Sequence, residues 1–222
     1  MSSRPELKLD WATHKAAKYA VEHWHYSKKM PKSKLAKIGV WEQAKFIGCV
    51  IYGVGASNKL VKRYGLKPEE GCELVRVALT AHKTPCSRII AISLNLIKKT
   101  FPKLRLIVSF ADTAQGHHGG IYQAGGWIFT GKSDDERQYK VRGRWLHPRS
   151  ACNYGSTTGL PKRKMPGKYR YLMPLDDEIS KRIKPLMQPY PKSKACEVGD
   201  DCSNSTAAVQ HRPTRSKHER YG

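Results

Sequence analysis

Residues 104–130 read LRLIVSFADTAQGHHGGIYQAGGWIFT and carry the pattern that decides the fold. The segment Leu104–Ala111 is almost continuously apolar, which is typical of a strand in the centre of a sheet. Asp112 ends this strand and opens a glycine-rich turn, after which a short helix over Ile121–Ala124 and a strand over Trp127–Thr130 are predicted. A buried strand followed by a turn and a helix indicates an α/β sheet.

The segments on either side have periodicities that extend this sheet. Apolar spacing predicts a helix over Trp11–Trp24, a hairpin of strands Leu35–Glu42 and Phe46–Val54 around Gln43–Lys45, a strand over Cys72–Leu79, a helix over Ser87–Lys99 opened by Thr84-Pro85, a strand over Gln138–Leu146 and a helix over Pro174–Arg182. The order of these elements predicts an α/β fold, with a mixed β-sheet flanked by helices.

The chain is strongly basic, with a formal net charge of +23 over 222 residues. Such a charge attracts polyanions and is the usual footprint of a nucleic-acid-binding protein, although a basic protein that contacts acidic lipid is an alternative. A shift to a basic, loop-like composition divides the chain into a catalytic domain at 1–151, a basic C-terminal extension at 152–190 and a tail at 191–222 that is predicted to be disordered.

The expected compartment is the cytoplasm. No segment has the ~20 continuous apolar residues of a membrane helix, and the first ten residues lack the apolar core of a signal peptide. Four widely spaced cysteines in or beside apolar runs and turns indicate reduced thiols rather than a disulfide framework: Cys49, Cys72, Cys86 and Cys152.

Two basic segments with aromatic residues are candidate DNA contacts. Four lysines surround Met30-Pro31, and Lys140–Arg170 holds nine Lys or Arg residues and no acid. Basic groups interleaved with rings suit phosphate contact and stacking on an extruded base, with a solvated loop as the alternative. The residues assigned to DNA binding are Trp24, Lys28, Lys29, Lys32, Lys34, Arg142, Arg144, Lys162, Arg163 and Lys164.

Clusters of polar residues mark the ends of the predicted elements. His23–Tyr26 offers imidazole and phenol groups that serve as acid and base, as metal ligands, as a stacking platform or as helix-end packing. Arg76 lies in an apolar strand, where alternation places it on the face opposite Glu73. Asp112 lies at the carboxyl end of its strand, where open α/β sheets place ligand-binding groups.

Two further clusters are candidates for binding a cofactor or a metal. The predicted helix start at Thr84–Arg88 offers backbone N–H groups and the side chains of Ser87 and Arg88 to an anion. The pair His117-His118 offers two imidazoles to a metal. No phosphate loop, Gly-x-Ser-x-Gly motif or nucleotide-methyltransferase pairing occurs in the sequence.

The segment Ile121–Trp127, with its Tyr-x-x-x-Gly pattern, resembles the GNAT acyltransferases, in which the tyrosine protonates the leaving thiol. More specifically, four segments together resemble the phage Mom family: His23–Tyr26, Cys72–Leu79, Thr84–Ile89 and Ser109–Gly131. The resemblance implies a GNAT-like enzyme that converts adenine in double-stranded DNA to N6-carbamoylmethyl-adenine and protects that DNA from host restriction enzymes.

The resemblance also implies the catalytic residues, which are His25, Tyr26, Arg76, Ser87, Asp112 and Tyr122. Asp112 is expected to act as general base and Tyr122 as acid. An association of the family with iron would favour His25, His117 and His118 as ligands. Thr84, Ser87 and Arg88 are expected to contact a cofactor.

The group donor stays open, because the stretch 82–87, HKTPCS, lacks the Arg/Gln-x-x-Gly-x-Gly/Ala pattern that binds acyl-CoA pyrophosphate. A glycyl donor and acetyl-CoA are the two alternatives. The sequence also leaves the oligomeric state open, with a homodimer among the alternatives. Two other functions compete: a non-enzymatic DNA-binding protein on a GNAT-like fold, and an ordinary GNAT N-acetyltransferase.

Overall fold

The computed structural model describes residues 5–55 and 59–192. The strands of this part of the chain are β1 Leu7–Trp11, β2 Leu35–Glu42, β3 Lys45–Gly53, β4 Gly71–Leu79, β5 Leu106–Ala111, β6 Ile128–Lys132, β7 Glu136–Val141, β8 Arg144–Leu146, β9 Lys162–Met165 and β10 Tyr169–Pro174. The α-helices are α1 His14–Trp24, α2 Cys86–Thr100, α3 Gly120–Gln123, α4 Pro148–Ala151 and α5 Asp177–Ile183.

Seven strands form the main sheet in the order β1-β2-β3-β4-β5-β10-β6. β4 and β5 are parallel, and the other neighbours in this sheet are antiparallel. The β2–β3 hairpin turns at Gln43 and Ala44, whose φ angles of 51° and 61° have the sign that two-residue hairpins require. The predicted α/β fold class, a mixed sheet flanked by helices, is confirmed.

Helices pack on both faces of the sheet. Alternate residues of β5 point to opposite faces, so each face presents apolar side chains to a helix. Ile107 joins the core cluster that contains the buried residues of α2, whereas Leu106 and Val108 pack with Ile179 and Ile183 of α5. α1 packs through its buried alanines on β3 and β4. Apolar spacing predicts a wide stripe on α2 that includes Ile92 and Leu96, which are only partly buried; the buried apolar residues of the helix are Ile89, Ile90, Leu94 and Ile97.

α1 is shorter than predicted at its start. The helix begins at His14 because the side chain of Thr13 accepts a hydrogen bond from Ala16 N at 3.2 Å and caps it. The residues before this cap form β1, which the sequence reading missed and which pairs with β2 at the edge of the sheet.

The predicted division between 1–151 and 152–190 does not separate two parts of this fold. β10 comes from the predicted extension, yet it lies between β5 and β6 in the main sheet. Its Tyr171 and Leu172 are fully buried in two different core clusters. A strand with neighbours on both sides belongs to the core, so the described chain up to Pro191 is one unit. The predicted tail lies, from residue 193 on, outside the described residues.

The predicted single strand Gln138–Leu146 is instead a hairpin. Arg142 and Gly143 turn the chain with φ of 47° and 76°, and β7 pairs with both β8 and β9 in a separate three-stranded sheet. We call this sheet the basic sheet. Among residues 5–55 and 59–192, no helix has the length and apolar character needed to cross a membrane.

Candidate active site

The parallel strands β4 and β5 separate part-way along their length and open a cleft. Their pairing runs from Gly71 opposite Leu106 to Leu74 opposite Ser109, and beyond that point both strands continue without facing each other. The carboxyl ends of parallel strands are the usual location of ligand sites in α/β sheets. The β4–β5 cleft therefore forms where Asp112 was predicted to act.

A chain of hydroxyl groups closes the narrow end of the β4–β5 cleft. The Ser109 hydroxyl is 2.9 Å from the Leu74 carbonyl oxygen and 2.8 Å from the Tyr122 hydroxyl. The carbonyl has no proton, so Ser109 donates to it and Tyr122 must donate to Ser109. Burial, with smaller contributions from Tyr26 and Glu73, raises the pKa of Tyr122 to about 12. Tyr122 thus holds its proton inside the sheet.

Tyr26 and Asp112 meet at the open side of the β4–β5 cleft, although they are 86 positions apart in the sequence. The Tyr26 hydroxyl donates to Asp112 Oδ2 at 3.3 Å. Asp112 Oδ1 accepts from Ala114 N at 3.1 Å, which caps the turn that follows β5. Burial and, to a smaller extent, the Asp112 carboxylate raise the pKa of Tyr26 to about 12. The phenol therefore stays protonated, beside a carboxylate that can accept a proton.

Two imidazoles surround the Tyr26 ring. His25 lies with its ring centroid 4.4 Å away, and His117 meets the ring edge-on at 5.2 Å. Burial, together with the nearby positive charges of Arg76 and Lys28, lowers the pKa of His25 to about 4. His25 is consequently neutral at pH 7, and its Nδ1 is 2.8 Å from the Ser27 hydroxyl.

Arg76 reaches the same site through an irregularity in β4. Ile51 pairs with Arg76 and Tyr52 pairs with Leu74, so Val75 is the extra residue of a β-bulge. The bulge interrupts the alternation that predicted opposite faces for Glu73 and Arg76. One Arg76 nitrogen donates to the Val75 carbonyl at 2.7 Å, and its Nε is buried without a hydrogen-bond partner in the part of the chain that the structure describes. An unpaired buried donor of this kind suits an anionic group.

The start of α2 differs from the predicted anion site. The helix begins at Cys86, and Pro85 precedes it instead of being its first residue. Thr84 is buried, and both its N–H and its hydroxyl donate to the Glu42 carboxylate at 2.8 and 2.6 Å. The prediction that Thr84 contacts a cofactor is therefore wrong, since its donors are already used within the protein.

The remaining residues of that prediction lie in the first turn of α2. Ser87 is half-buried and Arg88 is exposed. Their roles stay predictions. Glu42 was missed by sequence reasoning, although a carboxylate at the end of the apolar strand LAKIGVWE was a signal that it has a buried partner.

Glu42→Gln is expected to lower the free energy of unfolding by about 2 kcal/mol, because a charged acceptor of three hydrogen bonds becomes a neutral amide. Burial raises the pKa of Glu42, but the hydrogen bonds from Thr84 and Lys83 outweigh it and leave the pKa below its ordinary value. The carboxylate thus contributes stability above its ordinary pKa, and that contribution is lost as the pH falls through the lowered value. Thermal unfolding between pH 3 and 7 measures both effects.

The control for this variant is Glu22→Gln, which alters an exposed carboxylate 3.8 Å from Lys18. Exposed pairs of this kind contribute little, so the control is expected to unfold at the temperature of the unaltered protein. An equal loss of stability in both variants would contradict the role given to Glu42.

The metal prediction for His25, His117 and His118 is not supported. No group of three His, Cys, Asp or Glu side chains in the described ranges is placed to hold a metal ion. His25 Nδ1 contacts the Ser27 hydroxyl, and the His25 ring packs on Tyr26. The backbone carbonyl of His118 accepts hydrogen bonds from Tyr171 and Gln123. The residues do not fit iron, and no step of the chemistry is assigned to it.

Among the aromatic rings near this site, Trp127 is fully buried against Tyr122 and cannot reach a base. Trp24 packs on Phe46 at the end of α1. The Tyr26 ring, 47% exposed, is available at the site.

Basic elements lie on both sides of this site. The lysine loop, Lys28–Lys34, directly follows Tyr26 in the chain. The base of the basic sheet is joined to the residue after Asp112, because the Thr113 hydroxyl donates to the Gly167 carbonyl at 2.7 Å. The basic sheet and its turn carry seven cations: Arg137, Lys140, Arg142, Arg144, Lys162, Arg163 and Lys164.

Two aromatic rings accompany these cations. The Arg163 guanidinium lies 4.7 Å from the centroid of Trp145, and the Arg142 guanidinium lies 5.5 Å from that of Tyr154. The sequence predicted this combination of cations and rings, but it could not show that β7, β8 and β9 would bring them into one sheet.

The model of the Mom protein family matches residues 6–192. The methylcarbamoylase mom of Escherichia phage Mu is 26% identical over 204 residues, 84% of each chain. Aminoglycoside acetyltransferase AAC(6')-Ib in complex with coenzyme A and kanamycin is 9% identical, with a TM-score of 0.49 over 80% of this chain and 98% of that chain. Spermidine N-acetyltransferase from Vibrio cholerae, in complex with CoA and spermine, is 11% identical, with a TM-score of 0.45 and the same coverage. The match over most of its length shows that this chain belongs to the Mom protein family.

Proposed function

We propose that the chain modifies DNA by converting adenine to N6-carbamoylmethyl-adenine, which protects the DNA from host restriction. The observation that carries the proposal is the meeting of Tyr26, Asp112 and Arg76 at the β4–β5 cleft, between the lysine loop and the basic sheet. Membership of the Mom protein family and the similarity to the phage Mu methylcarbamoylase support it.

The acceptor in this proposal is the exocyclic amine of adenine. That amine is paired inside a duplex, so the base must leave the stack or be met in opened DNA. The half-exposed Tyr26 ring offers a surface beside which an extruded base can lie, with the Asp112 carboxylate hydrogen-bonded to the same phenol. An adenine amine placed there lies within reach of the Asp112 carboxylate, which can accept its proton.

Asp112 acts as the general base in this site. As the adenine nitrogen attacks an acyl carbon, it loses a proton to the carboxylate, and Tyr26 hydrogen-bonds to that carboxylate throughout. Negative charge develops on the acyl oxygen, and the Arg76 guanidinium, whose positive charge also acts on Tyr26, is the group that can hold it. The neutral His25 adds no competing positive charge at pH 7.

A glycyl group accounts for the carbamoylmethyl product. Transfer of glycyl to the adenine nitrogen forms an amide and releases the donor's leaving group with one proton. The free glycyl amine then attacks ring carbon 6 through a five-membered transition state. The bond from carbon 6 to the original nitrogen breaks, and that nitrogen becomes the terminal carboxamide while the glycine nitrogen stays on the ring.

DNA as the partner is supported by the pairing in the basic sheet. Arg137 lies directly opposite Lys164 in the register of β7 and β9, and like charges facing each other destabilise a strand pair. A phosphate bound between them would remove that repulsion. The single carboxylate in these strands, Glu136, is 3.6 Å from Lys168.

Tyr26→Phe is expected to reduce modification by about 10²-fold, whereas Tyr122→Phe is expected to reduce it by less than about tenfold. The reason is that Tyr26 contacts Asp112, while Tyr122 gives its proton to Ser109 inside the sheet. This differs from the acid role that the sequence resemblance implies for Tyr122. Mass spectrometry of plasmid nucleosides at equal protein expression measures both, and the reverse order would contradict the assignment.

The function itself is tested on plasmid DNA from cells that express the chain. The plasmid is digested with adenine-sensitive restriction enzymes, and its nucleosides are analysed by mass spectrometry. Resistance to cutting, together with adenine that carries one carbamoylmethyl group, is expected. Full cutting with folded protein present would indicate a DNA-binding protein instead, and an acetylated product would indicate an ordinary N-acetyltransferase.

Isotope feeding separates the glycyl route from acetate. With glycine labelled at nitrogen, the label is expected on the nitrogen bonded to the purine ring, and the terminal carboxamide is expected to be unlabelled. Label entering the product from acetate and none from glycine would overturn the glycyl route and leave adenine modification standing.

A further inference from the structure

We propose that the loop before α2 is closed by an internal carboxylate, that of Glu42, and that the chain therefore does not hold its donor as a CoA thioester bound through its pyrophosphate at this loop. The inference rests on the proposed function, because it concerns the donor of the same transfer. The GNAT-like resemblance implies that this loop binds a cofactor, whereas its N–H groups at Lys83 and Thr84 bind Glu42.

Two backbone donors of the loop before α2, and the Thr84 hydroxyl, are already used within the protein. Glu42 Oε2 accepts from Lys83 N at 2.9 Å, and Glu42 Oε1 accepts from Thr84 N at 2.8 Å and from the Thr84 hydroxyl at 2.6 Å. Pro85 has no N–H to offer. Further into α2, the N–H groups of Arg88 and Ile89 both donate to the Pro85 carbonyl.

Charge opposes a diphosphate at the same place. A carboxylate and a diphosphate that compete for the same N–H groups repel each other, and Glu42 is buried, so its charge is not screened as a surface charge would be. Displacing Glu42 would leave a carboxylate without partners in a buried position. The loop also lacks the glycines that would let a phosphate approach the backbone closely.

Glu42 reaches this loop because of the sheet order. It is the last residue of β2, beside the two-residue hairpin turn, and the turn end of β3 lies next to the end of β4, where Thr80 N donates to Ile47 O at 2.9 Å. The carboxylate thus fixes the segment that connects β4 to α2. The position of the Glu42 carboxylate therefore follows from the order of the strands in the sheet.

The experiment is a calorimetric titration of the full-length protein with CoA and with acetyl-CoA, to about 1 mM, at two salt concentrations. The higher salt removes the non-specific attraction of a basic chain for a polyanion. The spermidine N-acetyltransferase from Vibrio cholerae, which has been solved with CoA, serves as the positive control. No saturable heat is expected from this chain at the higher salt, while the control binds. Saturable binding that withstands the higher salt would overturn the inference.

Hydrogen exchange gives a second readout that does not depend on heat. The amides of Lys83 and Thr84 are expected to be protected in the free protein and to exchange at the same rate when CoA is added. A change in their exchange on adding CoA would overturn the inference, since it would mean that the ligand displaces Glu42. If DNA is modified and CoA binds, this inference fails alone; if DNA from expressing cells is unmodified, the proposed function fails and the CoA result still stands.

Discussion

Asp112→Asn is expected to lower the modified fraction of plasmid adenine by about 10³-fold while the protein keeps its fold. Asparagine retains the oxygen that caps the following turn at Ala114, and the amide nitrogen that replaces Oδ2 can donate to the Tyr26 oxygen. What the substitution removes is the negative charge that accepts the proton from the attacking amine. The substitution should therefore lower the amount of modified adenine and leave the free energy of unfolding unchanged.

The measurement is mass spectrometry of nucleosides from plasmid DNA, with protein level and thermal unfolding recorded for each variant. Asp134→Asn is the matched control, because Asp134 is exposed and its side chain lies outside the Tyr26–Asp112 pair. Modification by the control should equal that of the unaltered protein. Modification by Asp112→Asn within tenfold of the control would show that the carboxylate is not the base.

The second large effect is expected in DNA binding when the cations of β9 are removed. Replacing Lys162, Arg163 and Lys164 with glutamine removes three charges from the basic sheet. Each phosphate contact contributes roughly 0.7 log units of affinity at 0.15 M salt through counterion release, so binding should weaken by about 100-fold. The dependence of log Kd on log salt should fall by roughly three.

A control variant with the same change in net charge distinguishes DNA binding at the basic sheet from a general attraction of the positively charged protein for DNA. Lys15, Lys99 and Lys103 are exposed and lie at the start of α1, at the end of α2 and in the turn after it, away from the basic sheet. Their replacement with glutamine should change duplex affinity by less than about tenfold, measured by fluorescence anisotropy over a range of salt. Equal losses in both triple variants would show that overall charge, rather than the basic sheet, binds DNA.

Elements that depend on residues close together in the sequence were predicted correctly. The periodicity of Ile89, Ile90, Leu94 and Ile97 gave α2, and continuous apolar composition gave β5. The turn at Asp112 followed from its position at the end of that strand, where its side chain does cap the next residues. Such features depend on neighbours within a few positions, so the sequence contains the information directly.

Errors arose where a distant segment decides the outcome. β10 was assigned to a basic extension because a basic, loop-like segment precedes it in the chain, yet it pairs with a strand on each side. The loop before α2 was predicted as a free anion site, but Glu42, more than forty positions away, accepts from the N–H groups of Lys83 and Thr84. The acid role that the resemblance implies for Tyr122 stays a prediction, and its hydroxyl lies 2.8 Å from that of Ser109.

The α/β class, the basic character and the residue types available for acid–base chemistry could be predicted from the sequence, because periodicity, charge and side-chain chemistry are properties of the chain. Which of these residues lie together depends on the folded structure. Tyr26 meets Asp112 because α1 ends beside the β4–β5 cleft, and Arg76 turns to the site because of the bulge at Val75. Spatial proximity across a sheet depends on strand order and register, and no local pattern in a single sequence encodes these.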